Sequence, residues 1–355
     1  MKIAKENAEK SRERVEAWWN HEIIDRAVVN VTAPLKDADN EVIDEVEDVQ
    51  RYFTDPEVVI PLTENRLANT YFGGEAFPVA PGVPTSFVAI TASYLGCPVT
   101  FLNRSTVWCE PIIDDPNHLP DLSFNPDNKW WKASRRMMEA FVERADGYHV
   151  GIPDLNGPTE LLARLRGTQK LALDFIDNPE YIKSAIDKIT DAWYRYWEES
   201  VKITRETGGY FYWMGIWSDR PSIDLQSDFS CMISPEQFRE YFLPSIEKQT
   251  HMVERTVYHL DGPDAVRHLD ALLELPDLDG IQWIPGAGAK PTVEWIPLLK
   301  RIQDGGKLVY VHCRPESVET LLDELRPEGL MMVTSCGSVE QAKNLLKNAE
   351  KWSAR

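Results

Sequence analysis

Four short apolar runs in the last hundred residues each end on a polar or metal-capable side chain. They are Thr256-Val257-Tyr258-His259, Gly280-Ile281-Gln282-Trp283, Leu308-Val309-Tyr310-Val311-His312-Cys313 and Met331-Met332-Val333-Thr334-Ser335-Cys336. Segments of helical period separate them, near 264–275, 291–303, 316–325 and 339–351. Strand followed by helix, repeated, predicts a parallel sheet, because parallel neighbours need a long crossover. In such sheets ligands sit at the carboxyl ends of the strands, the level predicted for His259, Asp261, Gln282, His312, Cys313 and Cys336.

Upstream the same rhythm continues. Residues 5–20 read as a charged helix with Ala8, Val15, Trp18 and Trp19 on its apolar side, and Arg26 to Val31 reads as a buried strand. Residues 36–50 form an acidic surface stretch. Asp55-Pro56-Glu57 has the N-cap and first-turn proline of a helix start. The Gly- and Pro-rich region 73–128 reads as a hairpin-bearing insertion, not a separate domain. Helices follow over 130–146, from Gly157-Pro158, over 180–206 and over 235–250, the last opened by the Ser234/Gln237 capping box. Strand centres fall at Val28, Tyr148, Phe211, Val257, Ile281, Val309 and Met332, with an eighth expected in 98–109. The predicted architecture is one domain over 1–355, a (β/α)8 barrel of the TIM type. Its N-terminal part, 1–130, carries helical and hairpin additions, and 131–355 holds the regular repeats. An open doubly wound sheet is the alternative, without a Gly-rich phosphate loop to support it.

Composition narrows the classes. With 57 acidic against 38 basic residues the net charge is −19, and no basic run stands out, which argues against nucleic acid or an anionic membrane as partner. The five cysteines are odd in number and widely spaced, so no disulfide framework follows. The charged N-terminus lacks an apolar core, and no apolar stretch approaches membrane length, which points to the cytoplasm. No Gly-x-Ser-x-Gly elbow or P-loop is present.

Several segments, in order, resemble the uroporphyrinogen decarboxylase superfamily, which includes that decarboxylase and the corrinoid methyltransferases. They are Asn156-Gly157-Pro158-Thr159-Glu160-Leu161 at a helix start, Ile233-Ser234-Pro235-Glu236-Gln237-Phe238 followed by Phe242-Leu243-Pro244, and Tyr258-His259-Leu260-Asp261-Gly262. The last is similar to the strand that carries His-x-Cys-Gly in zinc-dependent methyltransferases. Two departures stand out. The decarboxylase's arginine-rich segment after its first strand is here Val31-Thr32-Ala33-Pro34-Leu35-Lys36, without arginine, which disfavours a poly-acidic porphyrinogen. The methyltransferase thiolate of His-x-Cys is replaced by Asp261, with Cys336 retained late in the chain.

The resemblance implies Zn2+ held by His259, Cys336 and either Cys313 or Asp261, since zinc accepts imidazole, thiolate and carboxylate. It also implies methyl transfer between a methylated small molecule, for instance a methoxy-aromatic, and a corrinoid carried by a partner protein, and a homodimer, as relatives commonly form. Asp261, Gln282 and Asp228 are the candidate catalytic groups. Trp213, Trp217, Trp283, Asn156 and Asp154 are the candidate substrate contacts, the tryptophans for stacking and the polar pair for orientation. The competing readings of these residues are ordinary: a satisfied buried histidine, a cysteine packed as a small hydrophobe, aromatic core and loop caps. Two other functions fit the same barrel: decarboxylation of a small acid with Asp261 or Asp228 as proton relay and no metal, and non-catalytic ligand binding.

Overall fold

A computed structural model describes residues 3, 5–35, 48–87 and 90–354. Most of the expected acidic stretch, 36–47, lies outside the described residues. Eleven strands occur among them: β1 Val28–Pro34, β2 Thr70–Gly74, β3 Val79–Pro81, β4 Val99–Asn103, β5 Thr106–Cys109, β6 His149–Gly151, β7 Ser222–Gln226, β8 Arg255–Asp261, β9 Gly280–Ile284, β10 Leu308–His312 and β11 Leu330–Ser335. Seven join in one sheet of order β2-β1-β11-β10-β9-β8-β7. Six of these run parallel, and β2 lies antiparallel on β1. The mixed α/β class and the mostly parallel sheet therefore match the sequence reading.

Two strand expectations change. The 98–109 region is an antiparallel hairpin, β4 with β5, apart from the central sheet. The aromatic segment around Phe211 makes only the isolated bridge Tyr210↔Ser218 and one bond to the β6 side, Ile152 N–H to the Phe211 carbonyl at 2.9 Å. The strand in that part of the chain is β7, whose alternation of Ile223 and Leu225 with Ser222, Asp224 and Gln226 is the period-two signal of a strand. β3 and β6 pair parallel outside the main sheet, so the ladders among the described residues do not join eight strands into a ring.

The helices follow the predicted apolar faces. Pro179–Thr204 buries Ile182, Ile186, Ile189, Trp193 and Trp197. The helix expected over 235–250 is interrupted by a π-turn at Phe238–Phe242, which ends one residue short of Pro244, a residue with no N–H to continue the ladder. One hydrophobic cluster extends from Val15 to Ala349, and a smaller one packs Ile60, Phe141 and Val150 together. Among the described residues, no helix is long and apolar enough to cross a membrane.

The N-terminal helix Ala8–Trp19, β1 and the turn after β2 are tied together by one buried carboxylate. Glu75 accepts from Arg26 at 2.7 and 2.8 Å, from Arg14 at 3.2 Å and from the Val29 N–H at 3.0 Å. Removing its charge leaves Arg26 buried without a counter-charge, the costly way to break such a pair. Glu75→Gln is expected to lower unfolding free energy by about 3–5 kcal/mol in a denaturant titration. A loss under about 1 kcal/mol would show the node to be incidental.

Candidate active site

Residues 257, 259 and 261 alternate along β8 and share one face of the sheet. In register, His259 lies between Gln226 of β7 and Gln282 of β9. Gln282 is fully buried, and its Oε1 lies 2.5 Å from His259 Nδ1. Nδ1 therefore carries the proton and donates, which leaves Nε2 with a free lone pair. Asp261 ends β8, and Asp228 opens the short 3-10 turn Asp228–Met232 that follows β7. The ligand atoms of Asp228, His259 and Asp261 all lie within 4.8 Å of one another.

A second tier of carboxyls surrounds this triad. Asp154 stands in the loop after β6, accepting from Gln226 Nε2 at 2.9 Å and from the Asn156 backbone N–H at 3.0 Å. Asn156 adopts φ 55°, a left-handed conformation that Asn tolerates. Gly157 brings this loop onto β7, where a Cβ would lie 1.7 Å from the Gln226 carbonyl oxygen. Glu160, in the first turn of helix Pro158–Arg166, pairs through Oε1 with Arg164 at 2.7 Å. Asp224 is buried on β7, two residues before Gln226 on the same face.

Burial first, and then the charges of neighbouring acids, push these carboxyls up. Burial, then the Asp154 charge, raises Asp224 to about 8, against the nearby Trp213 indole. Asp228 is exposed yet densely surrounded; loss of water, then Glu160, Asp261 and Asp154, raises it to about 7. Asp154 is raised chiefly by burial. His312, at the end of β10, is lowered by burial and then by His259.

Of the residues singled out from sequence, Asp154, Asn156, Asp228, His259, Asp261 and Gln282 gather here, with Trp213 meeting the His259 ring edge-to-face at 5.3 Å. Others do not. Trp283 alternates with Gln282, faces away from the cavity and packs on Trp295 at 4.9 Å. Trp217 donates to the Gly208 carbonyl, and neighbouring Ser218 accepts from Arg255, the first residue of β8. That places Trp217 at the amino ends of the strands, opposite Asp261.

The cysteines are also outside the triad. Ser335 shares the inward face with Thr32, 3.3 Å away, so Cys336, one residue on, packs into the hydrophobic core two strands beyond β9. Burial raises its thiol. Cys313 lines a cavity of about 640 Å³ with Asp261 and His312, and burial pushes its thiol up to about 12. Glu160, Asp224 and Gln226 are site residues that the sequence reading did not single out; the alternation of 222–226 is the signal that marks the last two.

No family model matches the chain, and no curated protein matches it. Among solved structures it is similar to a methyltransferase from Methanosarcina mazei, at 14% identity and a TM-score of 0.60, over 96% of this chain and 98% of that one. At that identity the likeness is one of fold.

The donor set of one imidazole and two carboxylates could hold a divalent metal ion. Without a cation, a raised carboxyl stabilises the folded state at acid pH, and that stability is lost as pH rises through the folded value. For Asp224 and Asp228 the loss falls between about 4 and 8, the interval from the ordinary carboxyl to the raised ones. In chelator the melting temperature should therefore fall from pH 6 to pH 8, and Asp224→Asn should raise it at pH 8. A pH-independent melt, equal in both proteins, would contradict this electrostatic picture.

Proposed function

We propose that the protein is a metal-assisted methyltransferase that moves a methyl group between a methylated small molecule and a corrinoid carried by a partner protein. The observation that carries this reading is the convergence of Asp228, His259 and Asp261 at the carboxyl ends of parallel strands. The fold, similar over nearly its whole length to that of a methyltransferase, and the order of the superfamily-like segments support it. Closure of the sheet into a barrel, with β6 and the Phe211 segment between β7 and the β3 side, belongs to the same reading.

Zinc is the ion this reading assigns. His259 would offer Nε2, and the two carboxylates would balance its charge. When bound, such an ion acts as a Lewis acid that lowers the proton affinity of a coordinated heteroatom. The chain does the remaining work. Gln282 fixes the His259 ring and its tautomer. Trp213 covers the edge of that ring. Asp228, holding a proton near neutrality, can release it when the site is filled. Cys336 and Cys313 have no ligand role in this assignment.

A metal-free decarboxylase is the second reading, favoured by the same Asp228 carboxyl, which is poised to exchange a proton near pH 7. Metal analysis separates the two. About one zinc per chain is expected in protein purified without added metal. His259→Ala and Asp261→Asn should lose it, and Cys336→Ser should retain it. Methyl transfer from methylated donors to free reduced corrinoid should fall on the order of 100-fold in the first two variants. Metal-free protein that decarboxylates a small acid at full rate would replace the first reading by the second.

A further inference from the structure

Two cysteines that the candidate site does not use stand side by side at the open end of the β4–β5 hairpin. Cys109 ends β5 and pairs with Val99 of β4. The Glu110 N–H donates to the Pro98 carbonyl at 2.9 Å, which carries the pairing one step beyond β4. Cys97 lies two residues before Val99, so strand alternation places it on the face that Cys109 shares, as a diagonal neighbour. The two thiols are free and hydrogen-bonded to each other. The hairpin is separate from the central sheet, so a change at this pair breaks none of that sheet's ladders.

The members of the pair are unequal. Cys97 is 2% exposed, with its N–H held by the Ala92 carbonyl at 3.1 Å, whereas Cys109 is half-buried. The hydrogen bond between them, then burial, pushes the Cys97 thiol up, and the same bond brings the Cys109 thiol down. A positive charge stands beside both. The Ile112 and Ile113 N–H groups, just after β5, donate to the Leu165 carbonyl at 2.8 and 2.9 Å, which seats the end of helix Pro158–Arg166 against the hairpin. Arg164 of that helix favours the thiolate at both cysteines. A partly exposed thiolate beside a cation, with a second thiol behind it, has the parts that thiol–disulfide exchange requires.

We infer that Cys97 and Cys109 form a redox-active pair that a low-molecular-weight disulfide closes into an intramolecular disulfide. The Cys109 thiolate attacks one sulfur of the oxidant, whose S–S bond breaks, and the leaving thiolate carries off the electron pair and takes up a proton. The Cys97 sulfur then attacks Cys109 in the mixed disulfide, gives up its proton and expels the second thiolate, which is protonated in turn. The pair has lost two electrons and two protons, and the oxidant has become two thiols. This chemistry is the same whether or not the protein transfers methyl groups. Its position is one ion pair away from the candidate site, since Arg164 holds Glu160 at 2.7 Å and Glu160 acts on Asp228.

The test uses the native full chain, incubated with oxidised glutathione, then unfolded and alkylated with N-ethylmaleimide for mass spectrometry. Alkylated thiols should fall from five to three, the five cysteines less this pair, with a cross-linked Cys97–Cys109 peptide and no retained glutathione. Dithiothreitol should restore all five. Cys97→Ser should hold one glutathione on Cys109, and Cys109→Ser should lose the cross-link and leave Cys97 reduced. Five alkylated thiols after oxidation overturn the inference. A cross-link through Cys231, Cys313 or Cys336 in place of this one overturns it as well, and so does glutathione that stays on Cys109 of the wild type. Should a variant unfold, the wild-type peptide map decides, because the native chain alone either yields the cross-link or does not.

Discussion

The backbone of Gly157 passes so close to the carbonyl of Gln226 that any side chain there would strike it, with 1.7 Å left for a Cβ. This contact sets the loop after β6 against the carboxyl end of β7. The Thr159 hydroxyl, bonded to Ser227 at 2.8 Å, and the Asn156 carbonyl, which accepts from Trp193 at 2.9 Å, fix its two sides. Asp154, which accepts from Gln226, is held beside the end of β7 because the loop is seated there, and Asn156 and Glu160 flank it in the same segment. The triad comes from β8 and the turn after β7, so the close approach joins two separately built halves of one site.

Joining them gathers acids that would not choose each other's company. In a pocket of low dielectric, each carboxylate disfavours the ionised form of the next, and the fold has two ways to relieve this. Asp224 and Asp228 keep a proton into the neutral range. The other way is a bound cation. The basic groups that act on these acids are Arg164, which answers one oxygen of Glu160, and His259. A folded state that carries this penalty is one whose stability is coupled to its ligand, since whatever binds the native site and not the unfolded chain adds its binding energy to folding.

Much of this was legible in the residues, and the limits are physical. The runs at 256–261, 280–284 and 308–312 declare strands whose polar ends share a level, because alternation and the parallel-sheet rule are local. Gln282 opposite His259 follows once those strands are adjacent. β7 was hidden by the louder aromatic run at 210–217, whose bulk mimics a buried strand although it makes a single bridge. Glu160 sits in a segment that reads plainly as a helix start; its place beside Asp228 depends on the Gly157 contact, a long-range fact. Trp217 failed for the same kind of reason: the turn between Tyr210 and Ser218 carries it to the amino ends of the strands.

Cys336 shows how fine the margin is. The register of β11 on β1 pairs Ser335 with Thr32, so the inward position at the strand end falls to a serine, and the thiol one residue later is taken into the core. A one-residue shift of that ladder would exchange their faces. With sulfur removed from the site and Asp228 brought in, the donors become one nitrogen and two carboxylate oxygens, a harder set than one containing thiolate. A harder set donates less charge to its ion, which remains the stronger Lewis acid and depends more on the protein for charge balance. The same strand register that buries Cys336 therefore bears on the electrostatics of the pocket: it makes the carboxylates, and the groups that hold or lose their protons, the part of the site that decides what can enter.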